Sequence, residues 1–195
     1  MKKLCLIAFA GFVSLTACKT EIKKKVMIIG KGDISAEGAN ITLKGSSGSS
    51  DKTIDLGDET ALQVNSPSGK TSVTVPDEPG FYILNLRADT IVGSRQNVGS
   101  DLGGRTITQE ELKVKIDSLT QLTTGANVKA GRSYLILPNQ LIKITDNTGA
   151  RVFGPFNKIP GSLDADENGK EPELYKFYTN TEMRELIANL KKMTI

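Results

Sequence analysis

Between Val26 and Val92 apolar residues recur at i, i+2 in short runs, and this two-residue period constrains the fold more than any other feature. Successive strand side chains point to opposite faces. Ile41/Leu43, Ile54/Leu56, Leu62/Val64 and Val73/Val75, each flanking a polar residue, therefore predict strands with one buried face. Val26-Met27-Ile28-Ile29 is a continuous apolar run. Phe81 to Leu86 is nearly as dense, as expected of a central strand covered on both sides, and Ile91 and Val92 add one more strand. The runs recur about every 8–13 residues, with turn material between them: Gly45-Ser46-Ser47-Gly48, Ser66-Pro67-Ser68-Gly69 and Pro76-Asp77-Glu78-Pro79-Gly80. Seven short strands at this spacing predict an antiparallel β-sandwich. It lacks the cysteine pair and tryptophan of immunoglobulin domains, so any likeness to them is one of architecture.

Gln96 to Arg105 is rich in Gly, Ser and Asn and marks a boundary, beyond which the period turns helical. Thr108 and Glu111 have the spacing of a capping box, and Ile107 and Leu112 that of a hydrophobic staple. Leu112, Ile116, Leu119 and Leu122 form one stripe, and Gly125 is the natural stop. Three strands are then expected, at 133–137, 141–145 and 151–156, joined by turns at Pro138-Asn139 and Asp146-Asn147-Thr148-Gly149. A closing helix repeats the grammar, with Thr179 and Glu182 as box, Tyr178 and Met183 as staple, and Met183, Leu186, Ile187 and Leu190 as stripe. The expectation is a β-rich α+β chain. An antiparallel β-sandwich-like domain spans 26–95, a linker 96–106, and a small helix–β-meander–helix unit 107–195.

Residues 1–17 have the three parts of a secretory signal. Lys2 and Lys3 are the basic part, and Leu4 to Val13 an apolar part of about ten residues, where spanning a bilayer takes roughly twenty. The segment Leu15-Thr16-Ala17-Cys18 then resembles the bacterial lipobox. That resemblance implies diacylglyceryl transfer to the Cys18 sulfur, cleavage before Cys18 and acylation of the new amino group: a lipoprotein held in the cell envelope by Cys18. One acyl chain binds membranes reversibly, and two or more anchor stably. Residue 19 is Lys and not Asp, which by resemblance to the enterobacterial sorting pattern favours the outer membrane. Residues 18–25 read as the lipidated cysteine and a tether. The seven residues Lys19 to Lys25 reach at most ~25 Å when extended, which keeps the fold near the headgroups. Lys23, Lys24 and Lys25 read as a solvated strand start, with contact to anionic lipid as the alternative.

Composition closes off several kinds of chemistry. Cleavage leaves 178 of the 195 residues, enough for one good-sized domain or two small ones. Lys2 and Lys3 leave with the signal, so 23 basic residues face 22 acidic ones and no nucleic-acid-binding face is expected. The absence of histidine excludes Ser-His triads, histidine bases and histidine metal sites. Cys5 leaves with the signal and Cys18 carries lipid, so no thiolate remains for catalysis or metal binding. Aromatic residues are 5% of the chain and tryptophan is absent, which argues against sugar stacking. The expected role is non-enzymatic: an envelope protein that binds or scaffolds a protein partner through strand edges and loops. The alternatives are a calcium-stabilised adhesive or small-ligand module, and a hydrolase or transferase built on two converging carboxylates.

Four motifs bear on those alternatives. Asp164, Asp166 and Asn168 supply alternating oxygens, Gly169 the bend and Lys170 a carbonyl, as in the first half of a calcium loop. The second half departs from the EF-hand pattern, with Pro172 at position nine and Tyr175 where a bidentate Glu belongs; Glu171 or Glu173 would have to substitute. A solvated acidic turn is the competing reading. Gly69-Lys70-Thr71 ends like a P-loop, but Val64 stands at the first glycine position and a strand pattern follows. Gly30-Lys31-Gly32 lacks the third glycine of a dinucleotide fingerprint, with Ser35 there. Ser49 and Lys52 have the spacing of a Ser/Lys nucleophile pair, yet Ser49 reads as part of a flexible Gly/Ser-rich hairpin loop, where a nucleophile would lack support.

Overall fold

The computed structural model describes residues 23–96, 107–129, 131–161 and 172–194. Cys18 with its lipobox, and Asp164, Asp166, Asn168 and Lys170 of the calcium-loop motif, lie outside the described residues. The described chain is β-rich α+β. Its elements in order are β1 (Lys24–Glu37), β2 (Asn40–Asp55), β3 (Ala61–Ser66), β4 (Gly69–Thr74), β5 (Gly80–Asn85), β6 (Ile91–Gln96), α1 (Gln109–Thr123), β7 (Ser133–Ile136), β8 (Leu141–Thr145), β9 (Arg151–Phe153), β10 (Leu174–Thr179) and α2 (Asn180–Lys191). One sheet has six strands in the order β4-β3-β2-β1-β5-β8, the other four in the order β7-β6-β10-β9. No described helix is long and apolar enough to cross a membrane.

Side-chain alternation divides the interior into three cores. Met27, Ile29, Phe81 and Ile83 project from one face of β1 and β5 onto Ile91, Tyr134, Ile136, Tyr175 and Phe177 of the smaller sheet. Val26, Ile28, Tyr82 and Leu84 project from the opposite face into a second core with Ile41, Leu62, Val64 and Val75. The third core lies on the far side of the smaller sheet, where Val92 meets Leu112, Ile116 and Leu122 of α1 and Met183 and Ile187 of α2. Val26 to Ile29 of β1 and the whole of β5 are therefore covered on both faces, which is why these runs carry no polar alternation. Each fully buried Ile, Leu or Val stabilises the fold by roughly 1.5–3 kcal/mol relative to exposure.

The second core closes because one long hairpin bends back on itself. Strands β1 and β2 pair from Lys25↔Asp55 to Glu37↔Asn40, with a break at which Lys31↔Ser49 is followed by Asp33↔Lys44. Gly32 alone thus opposes Gly45-Ser46-Ser47-Gly48, and this bulge folds Ile34, Ile41 and Leu43 over Val26 and Ile28. Gly32 has φ +82, and a Cβ there would lie 2.8 Å from the Gly45 carbonyl oxygen, so the bend requires glycine. Ser50 Oγ donates to the Gly32 carbonyl at 2.6 Å and holds the kink. The Gly45–Gly48 segment, expected as a turn between two strands, is thereby a bulge within a single strand, β2.

The helices form as their sequences require. Thr108 and Thr179 each accept from the backbone N–H three residues on, and Glu111 and Glu182 reach back to the cap backbone, so both capping boxes are complete. Helix α1 ends in a Schellman motif. Ala126 N–H donates to the Gln121 carbonyl, Gly125 N–H to that of Leu122, and Gly125 takes φ 78.

Three features differ from the sequence reading. The sheets are mixed, since β1 runs parallel to β5, β2 to β3 and β9 to β10. Parallel neighbours need a crossover, and here β2 to β4 make the excursion that returns β5 beside β1. The segments on either side of 96–106 share both sheets: β6 pairs with β7 and β10, while β8 pairs with β5. The meander expected after α1 is split accordingly. Finally, Leu174 to Thr179 is a strand the pattern did not announce, because Lys176 interrupts its apolar run.

Candidate functional site

The β1–β2 bend shapes a cleft of about 850 Å³ at the end of the sheet opposite Lys24 and Gly80. Leu43, Val64 and Leu86 form its apolar floor, Ser66, Pro67 and Ser68 of the β3–β4 turn one end, and Lys31 and Asn139 the far rim. Thr71 to Thr74 form the near wall, so both parities of β4 line the cleft. Thr71 and Val73 share the face of their register partners Val64 and Leu62, whereas Ser72 and Thr74 contribute through the edge of the strand. Because β4 is the terminal strand of the sheet, that edge carries no neighbouring strand among the described residues. Among the described residues Lys31 is the sole charged one lining the cleft.

A polar seam joins the sheets nearby. Asn85 is fully buried, and its Nδ2 donates to the carbonyls of Asp89 at 2.9 Å, Ile136 at 3.1 Å and Leu137 at 3.2 Å. Its Oδ1 accepts from Arg87 N–H at 3.0 Å. Arg87 pairs with Asp89 at 2.7 Å, donates to Ser49 Oγ and lies 5.4 Å over the Phe156 ring. Ser49 therefore belongs to a paired strand and not to the flexible loop expected for it. Its partner in the nucleophile motif is not at hand, because Ser49 and Lys52, three apart on a strand, face opposite sides.

Two residues along, Asp51 accepts from Asn157 Nδ2 at 2.5 Å. Burial pushes its carboxyl above the usual carboxylate range, against the downward pull of Asn157 and of the Lys176 charge. Lys176 Nζ donates to the carbonyls of Gly154 at 2.6 Å and Asn157 at 2.7 Å, and burial lowers its ammonium below the ordinary lysine range. These contacts bind the chain after β9 to the edge of β2. Sequence pattern could not find this pair: the two residues lie on different sheets and share no motif.

Glu173 is the hub of a second cluster. Its carboxylate accepts from Thr145 Oγ1 at 3.2 Å, Asn147 Nδ2 at 3.2 Å and Tyr175 OH at 2.5 Å, with Arg95 at 3.8 Å. Burial, then the adjoining carboxylate, push the Tyr175 phenol far above its ordinary value, so it remains a donor. Glu173, one of two residues expected to complete the calcium loop, is thus spent on the β8–β9 turn. Among the described residues no group of three or more Asp, Glu or Cys is placed to hold a metal ion. Asp51 bonds to Asn157 and Glu173 to Thr145, Asn147 and Tyr175, so among the described residues these two carboxylates sit in separate clusters and not as one converging pair.

At the other end of the sheet the chain enters directly into β1. Of the three tether lysines, Lys24 is buried, with Nζ 3.1 Å from Asp77 Oδ1, while Lys23 is exposed. The expectation of a solvated strand start therefore fails at Lys24, which is turned inward to its carboxylate. Comparison with protein-family models, curated proteins and solved structures gives no match for this chain.

Proposed function

We propose that this chain is a lipid-anchored, non-enzymatic protein of the bacterial cell envelope, attached through Cys18 on the outer membrane, that binds or scaffolds a protein partner. The observation that carries the reading is the Leu15-Thr16-Ala17-Cys18 segment, with five residues between Cys18 and β1, whose first half is buried on both faces. An anchor so close to β1 would hold the fold against the headgroups and aim the β3–β4 turn and the cleft away from them. The lack of histidine and the separate engagement of Asp51 and Glu173 support a binding role over a catalytic one.

The test has two arms in intact cells. Labelled palmitate is incorporated into the wild type and not into Cys18→Ser, which leaves the membrane fraction; equal labelling of both would sink the anchor. Crosslinking on intact cells, with identification of what is captured, recovers a defined envelope protein. Failure to capture one, alongside substrate turnover by the purified chain, would sink the binding role.

A further inference from the structure

The edge of β4 can be followed residue by residue. In an antiparallel pair, alternate residues direct both backbone groups toward the neighbouring strand and the others direct them away. Val75 N–H donates to the Thr60 carbonyl at 2.8 Å, which fixes the parity. Val73 and Thr71, opposite Leu62 and Val64, point toward β3, and Thr74, Ser72 and Lys70 point outward. Among the described residues the outward N–H and C=O groups of these three have no hydrogen-bond partner. They repeat every second residue, about 6.8 Å apart, which is the spacing of a pairing strand.

The cleft beside this edge supplies what a bare edge lacks. Leu43, Val64 and Leu86 lie on its floor, where alternate side chains of an added strand would project. Val64 is buried, with 4% of its surface exposed, and Leu43 and Leu86 are half-buried. Lys31 on the rim and Lys70 on β4 are both exposed and pair with no described carboxylate.

We propose that the open edge of β4 and the adjoining cleft take up an extended segment of a partner protein as an added strand, with alternate apolar side chains on Leu43, Val64 and Leu86 and an acidic residue near Lys31 and Lys70. This rests on the partner-binding reading and names the chemistry of that partner. A row of main-chain donors and acceptors recognises another main chain, which is the mode of β-strand addition. A second copy of β4 is the poorer occupant. It would bring another lysine and no carboxylate to a cleft rimmed by Lys31 and an edge that already carries Lys70, and only Thr71 and Val73 to its apolar floor.

The probe is the peptide acetyl-Val-Thr-Val-Thr-Val-Asp-amide, added in excess to the mature full chain. Hydrogen exchange at the Ser72 and Thr74 amides slows by roughly tenfold or more at saturation, while Val73 and Val75, already bonded within the sheet, do not change. Ser72→Pro removes an outward N–H and no backbone bond to β3, as edge positions allow, together with one exposed side-chain bond from Gln63 Nε2 to Ser72 Oγ at 3.1 Å. It keeps the wild-type melting temperature and weakens the peptide by roughly tenfold or more, about 1.4 kcal/mol. Thr74→Pro repeats the test at the next outward position.

Unchanged exchange at Ser72 and Thr74, or equal binding by wild type and both proline variants, overturns the inference. So does a dimer in sedimentation that Ser72→Pro returns to monomer, since the occupant is then a second copy. If crosslinking in cells captures the same partner with Ser72→Pro as with wild type, the edge is not the docking site, yet the partner-binding reading stands. If no partner is captured and the purified chain turns over a substrate, while the peptide still binds in a Ser72-dependent way, that reading falls and the edge remains as a strand-binding site.

Discussion

Phe177 lies across Gly93: the two residues face each other in register between β10 and β6, and a Cβ on Gly93 would come 2.6 Å from Phe177 Cγ and 2.7 Å from the Lys176 carbonyl oxygen. The ring occupies the space a side chain would take and packs 6.0 Å from Tyr134 in the core between the sheets. Gly93→Ala must displace either a fully buried ring or the strand that carries it. The expected cost is roughly 1–3 kcal/mol, read from denaturant midpoints. The Gly93→Ala/Phe177→Leu double variant should be more stable than the sum of its single variants, because the clash and the cavity share one space.

Two glycines of the long hairpin should respond differently to alanine. Gly32 and Gly48 both have positive φ, but a Cβ on Gly32 meets carbonyl oxygens while one on Gly48 meets open space. Gly48→Ala should cost about 1–2 kcal/mol from backbone conformation alone. Gly32→Ala adds the steric term and should cost more, with a lower thermal midpoint than Gly48→Ala.

Asp51 should give the protein a specific pH dependence. Its carboxyl is raised in the folded state, chiefly by burial, so the folded form holds a proton that the unfolded form has already lost. The stability this contributes is complete below the ordinary carboxylate value of about 4 and is lost as pH climbs through the raised folded value. Asp51→Asn removes that slope. The stability difference between variant and wild type, measured by urea denaturation at successive pH values from about 4 upward, should shift in favour of the variant as Asp51 ionises. A difference independent of pH would refute the assignment.

Calcium should leave the melting temperature unchanged. A ligand that binds only the folded state raises stability by a term growing with its concentration, so a tight site would show itself in a titration. Glu173 already accepts from Thr145, Asn147 and Tyr175. A rise of several degrees with calcium, absent with magnesium, would contradict this.

The elements most legible in the sequence were those whose signal is local. Thr108 with Glu111 and Thr179 with Glu182 encode both helix starts within four residues, and Gly125 encodes the stop of α1. Runs without polar alternation identified β1 and β5, because burial on both faces leaves no solvent side to mark. What escaped depends on distant partners. Gly45 to Gly48 reads as a turn by composition, and only Gly32 on the opposite strand makes it a bulge. Lys176 makes β10 look amphipathic without a period, because its ammonium is satisfied by carbonyls near residue 155 that no local pattern predicts. The cleft was likewise illegible: Lys31, Leu43, Val64, Leu86 and Asn139 come together only once the hairpin has bent.

The exchange of β6 and β8 between the sheets governs when this chain can fold. Phe81 must wait for Thr145 and Ile91 for Thr179, partners roughly sixty and ninety residues further along. A chain ending at residue 96 would expose the outer edge of β5 and leave Met27, Ile29, Phe81 and Ile83 uncovered. Early-emerging residues therefore have no smaller native state to settle into, and synthesis has to run past Thr179 before the two sheets can close. If the chain is exported through a narrow channel, as we propose, that delay would keep it threadable until it has crossed.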